Sequence, residues 1–461
     1  MNRPGPGPLD WLVIVSYLPF LMMGMIVKKI GWTALSAGLC VLVFEPFAWW
    51  PLALVAWLPF LFVLKTASPR EGFYLGLFHG LFLFGGTLSW MWNIFGRASI
   101  ALWAIVAIFT AMTALLIVRL PTKSKWQGTV LVAAVWAGVE YFRAEVFTLT
   151  FPWITPGTGL PPNWLTPIVG VYGITFCVVL GNALLFTRWK EGLTILLFLG
   201  LAVLTFSEAP DPEDKIRVGL VQDESAIIRQ LKEASEPILD KVDAVVWPEY
   251  SLGRFEESTL EVGRGIAAQT GLFVASGLEE IDGEDHNTAF VISAAGIEGR
   301  HVKNHPVHFF TDGVAGKVAE PVATQLGKVG TPVCFDCDHQ DVIRKMTAKG
   351  AEFFLIPSLD AMAWSARQHE QHGALFQHRA AENGRWLAVA SSSGVTQIID
   401  PRGQVRARLP LMAEGILVGE IGRTDQRTVF QRGGWLLGPA MMGVTGVAIL
   451  WLIRRKYSKS A

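Results

Sequence analysis

Residues 244–249 read Ala244-Val245-Val246-Trp247-Pro248-Glu249. A short apolar run closes on a proline and then an acid. This is the pattern of a buried strand whose carboxyl end delivers a carboxylate. Seven further strand candidates surround it: Ile216–Val221, Leu272–Ser276, Thr288–Ser293, Gly330–Cys334, Phe353–Ile356, Leu387–Ala390 and Val395–Ile399. Amphipathic stretches at 226–241, 257–270, 339–349 and 365–384 lie between several of them. The alternation predicts an α/β domain, and turns such as Asp400-Pro401-Arg402-Gly403 punctuate it.

Outward from this region the composition changes. The chain has 461 residues with 39 basic and 39 acidic side chains, so its formal net charge is zero. With 28 Phe and 18 Trp it is not a disordered chain. Without a basic excess it does not read as a nucleic-acid binder, and four cysteines make no disulfide scaffold. The neutral total is a cancellation. Residues 1–207 carry a net +6, residues 208–432 a net −10 and residues 433–461 a net +4. Charged residues form about 9% of the first segment but about 25% of the second, the usual share for a soluble domain.

Apolar runs at 11–27, 30–46, 49–64, 73–95, 99–118, 128–143, 165–187, 192–207 and 434–453 are each near the length that crosses a bilayer core. The expected organisation is a helical membrane bundle of about eight spans over 1–207, an α/β domain over 208–432, and an anchor with a basic tail over 433–461. Pro46 and Pro51 interrupt the 30–64 stretch, which can form a tight hairpin. The first run is not read as a signal peptide, because Asp10 precedes it and Lys28 and Lys29 follow it. Alternate loops collect Lys28, Lys29, Lys65, Arg70, Arg119, Lys123, Lys125, Arg188, Lys190, Arg454, Arg455, Lys456 and Lys459; the others hold only Arg3, Arg97 and Arg143. The positive-inside tendency places the rich set in the cytoplasm, and the N-terminus and the 208–432 domain outside it.

Three residues near strand ends can carry chemistry: Glu249, Lys303 in His301-Val302-Lys303-Asn304-His305, and Cys334 in Gly330-Thr331-Pro332-Val333-Cys334-Phe335-Asp336. Singly, each reads as a surface acid, a solvated lysine and a buried small hydrophobe. Together they resemble the Glu–Lys–Cys triad of the nitrilase (carbon–nitrogen hydrolase) superfamily. The membrane frame narrows the resemblance to its apolipoprotein N-acyltransferase branch. Gly76-Leu77-Phe78-His79-Gly80, Phe84-Gly85-Gly86, Trp90, Phe151-Pro152-Trp153 and Pro167-Ile168-Val169-Gly170-Val171-Tyr172-Gly173 are similar to that family's spans and loops. Trp247-Pro248-Glu249, Lys303-Asn304-His305 and Cys334-Phe335-Asp336 match its catalytic motifs. Arg379-Ala380-Ala381-Glu382-Asn383 and Ser392-Ser393-Gly394-Val395 are similar to its closing helix and strand.

The resemblance implies an α-β-β-α sandwich and a ping-pong acyl transfer in the bacterial inner membrane, with the sandwich on the periplasmic side. Cys334 would attack an ester of a phospholipid donor. The thioester would pass its acyl chain to the N-terminal amine of a diacylglyceryl-lipoprotein. Glu249 would move the proton and Lys303 would stabilise the oxyanion, with the Phe335 N–H as second donor. No cofactor or metal is implied, nor any nucleic acid, and a monomer is expected. An amidase using water, or an N-acyltransferase with another acceptor, is the alternative. Trp90, Trp92, Phe151 and Trp153 fall near the external interface, where aromatics either form a belt or contact lipid substrate.

The chain departs from the family around the site. Where the family has Phe-Gly-Glu, this sequence reads His308-Phe309-Phe310-Thr311-Asp312-Gly313, so Asp312 is the candidate for the missing second acid. Asp336 stands where the family usually has Glu. The family's Asn-Asp-Ala-Trp-Phe appears as Leu359-Asp360-Ala361-Met362-Ala363-Trp364, which leaves Trp364 as a substrate-loop candidate beside Trp153 and Trp90. Cys334 and Cys337 form one Cys-x-x-Cys, and Cys334 is preferred as nucleophile by its position and context. His301, His305, His308, His369, His372 and His378 lack metalloprotease spacing and read as surface or hydrogen-bonding groups. Gly76 and Gly80 predict close helix packing within the chain.

Overall fold

The structure is a computed structural model that describes the backbone of residues 8–120 and 126–458 and the side chains of 24–120, 126–456 and 458. Arg3, Lys123, Lys125 and Lys459, counted above among the loop charges, lie outside the described residues. The first half is helical: α1 (Pro8–Val43), α2 (Leu58–Leu64), α3 (Pro69–Thr87), α4 (Met91–Phe95), α5 (Ser99–Arg119), α6 (Trp126–Tyr141), α7 (Thr166–Leu184) and α8 (Trp189–Leu204). Ser68 and Glu71 form a capping box that starts α3, with Pro69 in its first turn. Gly76 and Gly80 set α3 directly on α5. A Cβ at either would fall 2.8 Å from Ala111 or Ala107.

Four helical segments among the described residues are long and apolar enough to cross a membrane: Gly24–Val43, Met91–Arg119, Thr166–Leu184 and Gly434–Lys456. The protein is a membrane protein. Three of the expected spans differ in form. The runs at 11–27 and 30–46 are one helix, α1, because Lys28 and Lys29 are good helix formers and interrupt no backbone donor. The chain therefore does not turn back there, and α1 leads its N-terminal end away from the sandwich rather than toward it. The run at 49–64 is a 3-10 turn, Trp50–Leu54, followed by the short α2. Pro51 and Pro59 each open one of these pieces, since proline lacks the N–H that one continuous helix would need.

One end of the bundle gathers the cations. Lys29 pairs with Glu71 at 2.9 Å and donates to the Thr66 carbonyl. Lys65 lies over the Phe186 ring, and Arg70 and Arg119 border one groove. The other end carries the α/β domain.

That domain contains β1 (Lys215–Gln222), α9 (Ile228–Ser235), β2 (Ala244–Val246), α10 (Glu257–Thr270), β3 (Leu272–Ile281), β4 (Glu284–Ser293), β5 (Gly296–Val302), β6 (Val322–Thr324) and β7 (Gly327–Gly330). It continues with α11 (Asp341–Ala348), β8 (Phe353–Ser358), α12 (Ala366–Asn383), β9 (Leu387–Ser391), β10 (Gln397–Ile399), β11 (Val405–Arg408) and β12 (Gly415–Gly422). The short α13 (Val429–Arg432) leads to α14 (Leu437–Ser458), which returns along α6 and α7. The strands form two six-stranded mixed sheets, β12-β1-β2-β3-β4-β5 and β11-β10-β9-β8-β7-β6.

Side-chain alternation makes the layers. Val218, Leu220, Val246 and Val274 meet Val329, Phe353, Leu355 and Ala388 between the sheets. Val221, Val245, Trp247 and Phe273 turn outward under α9 and α10, while Phe354, Ile356 and Val389 pack under α11 and α12. The result is an α-β-β-α sandwich. The expected strand at Gly330–Cys334 is a correction: β7 stops at Gly330, and Cys334 opens a 3-10 turn, Cys334–Cys337. Pro332 cannot donate to a sheet ladder, and the Asp336 side chain caps the turn by accepting from Val333 N at 3.1 Å.

Buried polar contacts hold the sandwich to the bundle. At the kink in α7, where Gly170 has φ +63°, the Val171 N–H is free to donate to Glu382 Oε1 of α12 at 2.9 Å. Glu145 accepts from Tyr172 OH and lies 3.2 Å from His339 Nδ1.

Candidate active site

Glu249 and Lys303 converge from two strand ends on Cys334, which opens the turn after β7. Glu249 follows β2, and its backbone N–H donates to Ser358 O at the end of β8. Lys303 follows β5 and donates from its backbone to Asn287 O on β4. Lys303 Nζ donates to Glu249 Oε1 at 2.8 Å, and the Cys334 thiol lies 3.5 Å from Leu359 O. All three side chains are buried. Cys334 has φ +46° at the start of its 3-10 turn, and its sulfur borders the cavity described below.

Asp312 completes a second carboxylate on Lys303. Its Oδ2 lies 2.7 Å from Lys303 Nζ and accepts from Val307 N at 2.6 Å. Its Oδ1 accepts from Tyr250 OH and from Asn287 Nδ2, the latter at 2.8 Å. Asn287 Nδ2 also donates to Glu249 Oε1 at 2.6 Å. Each Asp312 oxygen thus has two donors, whereas Glu249 gathers Lys303 and Asn287 on one oxygen, Oε1. Asp336 faces away from the sulfur. It accepts from Asn304 N, His305 N and His301 Nε2 at 2.8–2.9 Å and so fixes the loop that carries Lys303.

Burial pushes the Glu249 carboxyl up; Lys303 draws it back and Asp312 adds to the rise. Burial disfavours the Lys303 cation, but Glu249 and Asp312 outweigh it and hold Lys303 well above its ordinary value. Burial and Glu249 push the Cys334 thiol well up against the pull of Lys303. The resting sulfur is therefore protonated and needs a base in the step that uses it. Burial alone would raise Asp336, but the His301 hydrogen bond holds it low.

Cys334 sits at the wall of an apolar cavity between α4, α5 and the sandwich. Leu102, Ile105 and Val106 of α5 line it with Phe310 and Phe335. Trp90, Trp153 and Trp364 all border it. Trp90 and Trp153 are buried, packing at 5.3 Å between ring centroids, while Trp92 is exposed. Trp364 lies 5.5 Å from Phe310. The structure thus brings every site residue expected from the sequence to one place, with Asp336 behind it.

Sequence reasoning missed Asn287 and Tyr250, and also a cluster of Asp338, Asp360 and His372 on the cavity wall. Asn287 left a faint signal, a polar residue two positions before the apolar run Ala289–Ile292 of β4.

The fold and this site define a carbon–nitrogen hydrolase domain mounted on a membrane bundle. Residues 218–429 match the carbon-nitrogen hydrolase family, and residues 36–184 match the apolipoprotein N-acyltransferase N-terminal domain. The chain is 26% identical to the apolipoprotein N-acyltransferase of Geobacter metallireducens, over 88% of this chain and 92% of that one. It is 25% identical to that of Azotobacter vinelandii, over 94% and 98%. A solved carbon-nitrogen hydrolase from Helicobacter pylori G27 aligns at 22% identity and a TM-score of 0.41, covering 48% of this chain and 94% of that one. The chain belongs to the apolipoprotein N-acyltransferase family and is a membrane acyltransferase on a hydrolase fold.

Proposed function

We propose that the protein moves an acyl chain from a phospholipid to the N-terminal amine of a diacylglyceryl-cysteine lipoprotein through a thioester on Cys334. In the first half-reaction the sulfur attacks the ester carbonyl while Glu249 takes the thiol proton. The oxyanion is stabilised by the Lys303 ammonium and the Phe335 N–H. Collapse breaks the ester C–O bond, Glu249 returns the proton to the departing alkoxide, and a lysophospholipid leaves. In the second half-reaction the acceptor amine attacks the thioester carbonyl. Glu249 takes the amine proton and passes it to the departing sulfur, and an amide remains. Asp312 anchors Lys303, taking the place of the second acid.

The observation that carries this reading is the apolar cavity ending on Cys334, walled by α4 and α5 of the membrane bundle and placed beside a nucleophile with its own base and cation. The protein incubated with phospholipid is expected to accumulate an acyl thioester on Cys334 by mass spectrometry. A folded protein that stays unmodified overturns the reading. Turnover to free fatty acid alone assigns water as the acceptor.

The same reading places the bundle at 1–207, the catalytic domain at 208–432 on the periplasmic side of the inner membrane, and the anchor at 433–461. The gathering of Lys29, Lys65, Arg70 and Arg119 at the end remote from the sandwich supports this orientation. The enzyme acts as a monomer, since one chain supplies nucleophile, base, cation and cavity.

A further inference from the structure

We infer that His372 is a positioning residue for the nucleophile, holding Asp338 and the Leu359–Asp360 segment in place on either side of Cys334. The inference deepens the acyl-transfer reading and rests on it for its kinetic consequence. His372 is buried on α12 and borders the acyl cavity. Its Nδ1 lies 2.8 Å from Asp360 Oδ1 and its Nε2 lies 3.1 Å from Asp338 Oδ1. A neutral imidazole carries one N–H, so only the imidazolium can donate toward both carboxylates. A ring with its one proton on Nδ1 would leave Asp338 Oδ1, which has no other donor, facing a bare Nε2.

Each acid is tied to the nucleophile. Asp338 ends the turn that Cys334 opens, donating its N–H to Phe335 O at 3.1 Å. Its Oδ2 accepts from Trp153 Nε1 at 2.5 Å, and the indole stacks on the His372 ring with centroids 5.8 Å apart. On the other side, the Leu359 carbonyl lies 3.5 Å from Cys334 Sγ. Asp360, the next residue, is held through its carboxylate by Gln368 and Ser391 and through its carbonyl by Ser392 and Ser393. His372 is the group common to both arms. The titratable groups around it are Asp338 from the turn, Asp360 from the end of β8, Cys334 across the cavity and His369 one turn earlier on α12, which is engaged with Ala361 O. Trp153 and Phe376 close the remaining sides without charge.

The test measures the first half-reaction with a phospholipid of defined chain in detergent micelles, by the rate of thioester formation on Cys334. H372Q and D338N are each expected to slow it roughly 10- to 100-fold with KM for the donor unchanged. The double variant is expected to be no slower than the slower single one, because both break one bridge. The advantage of the wild type over H372Q shrinks as pH rises until the imidazolium loses its proton. A wild-type rate in H372Q, or additive losses in the double variant, overturns the inference. So does a deficit independent of pH that only follows a lowered Tm. Iodoacetamide alkylation of Cys334 is a second readout. If the wild type forms no thioester, the acyl-transfer reading fails, while an alkylation rate changed by H372Q and D338N alike still upholds the positioning role, and an unchanged rate removes it.

Discussion

Lys303 Nζ lies 2.7 Å from Asp312 Oδ2, and both side chains are buried. Asp312 is therefore a fixed counter-charge for the cation that faces the reacting carbonyl. Replacing it with Asn leaves Lys303 with one carboxylate and removes an acceptor from Tyr250 and Val307. D312N is expected to lose about 3–5 kcal/mol of stability and most activity. D312E should retain part of both. Thermal unfolding and thioester formation check the pair, and a D312N protein as stable and active as the wild type would remove Asp312 from the site.

Cys334→Ala deletes one buried sulfur and nothing that holds the sandwich together. The variant should fold, dock substrate and form no thioester, whereas Cys337→Ala should still be acylated. Intact-mass analysis after incubation with phospholipid distinguishes the two, and acylation of the C334A protein would displace Cys334 from its role.

Burial raises the Glu249 carboxyl, so the base loses its charge above the ordinary carboxylate range near ~4.3. Thioester formation is expected to fall as pH drops through that raised value. The sign for stability is opposite. Between the ordinary and the raised value the native state keeps a proton that the unfolded chain has released, so stability falls as pH rises there. E249Q should remove both dependences and lower the rate roughly 10²- to 10⁴-fold. An acid limb that survives in E249Q belongs to another group.

The cavity wall on α5 sets the room for the acyl chain. Leu102→Trp fills part of it and is expected to shift donor preference toward shorter chains, by roughly tenfold or more against the longest. Competition between phospholipids of graded chain length measures this. An unchanged preference would mean that the chain lies elsewhere.

Orientation is open to direct test. Alkaline phosphatase fused after Ser207 should be active and the same reporter fused after Lys456 inactive. The reverse pattern would invert the protein.

Much of this was legible along the chain. The acidic surplus of 208–432 against basic flanks separates sandwich from bundle, because a bilayer and water sort charge residue by residue. Strand ends at Glu249 and near Cys334, and the helix at 257–270, follow from local periodicity and the family resemblance. Local pattern misjudged α1, where two lysines read as a loop although a helix accommodates them, and the turn at Cys334, where β-favouring residues lead into a 3-10 cap. What only the tertiary structure decided is which polar group meets which. Asn287 joins Glu249 to Asp312, Trp153 donates to Asp338 at the cavity wall, and His372 bridges two acids from different segments. A single buried Asn, Trp or His has no period to reveal it. Its partners lie tens to hundreds of residues away, and they are chosen when the sheets, α12 and the bundle loop close around one desolvated site in which every donor must find an acceptor.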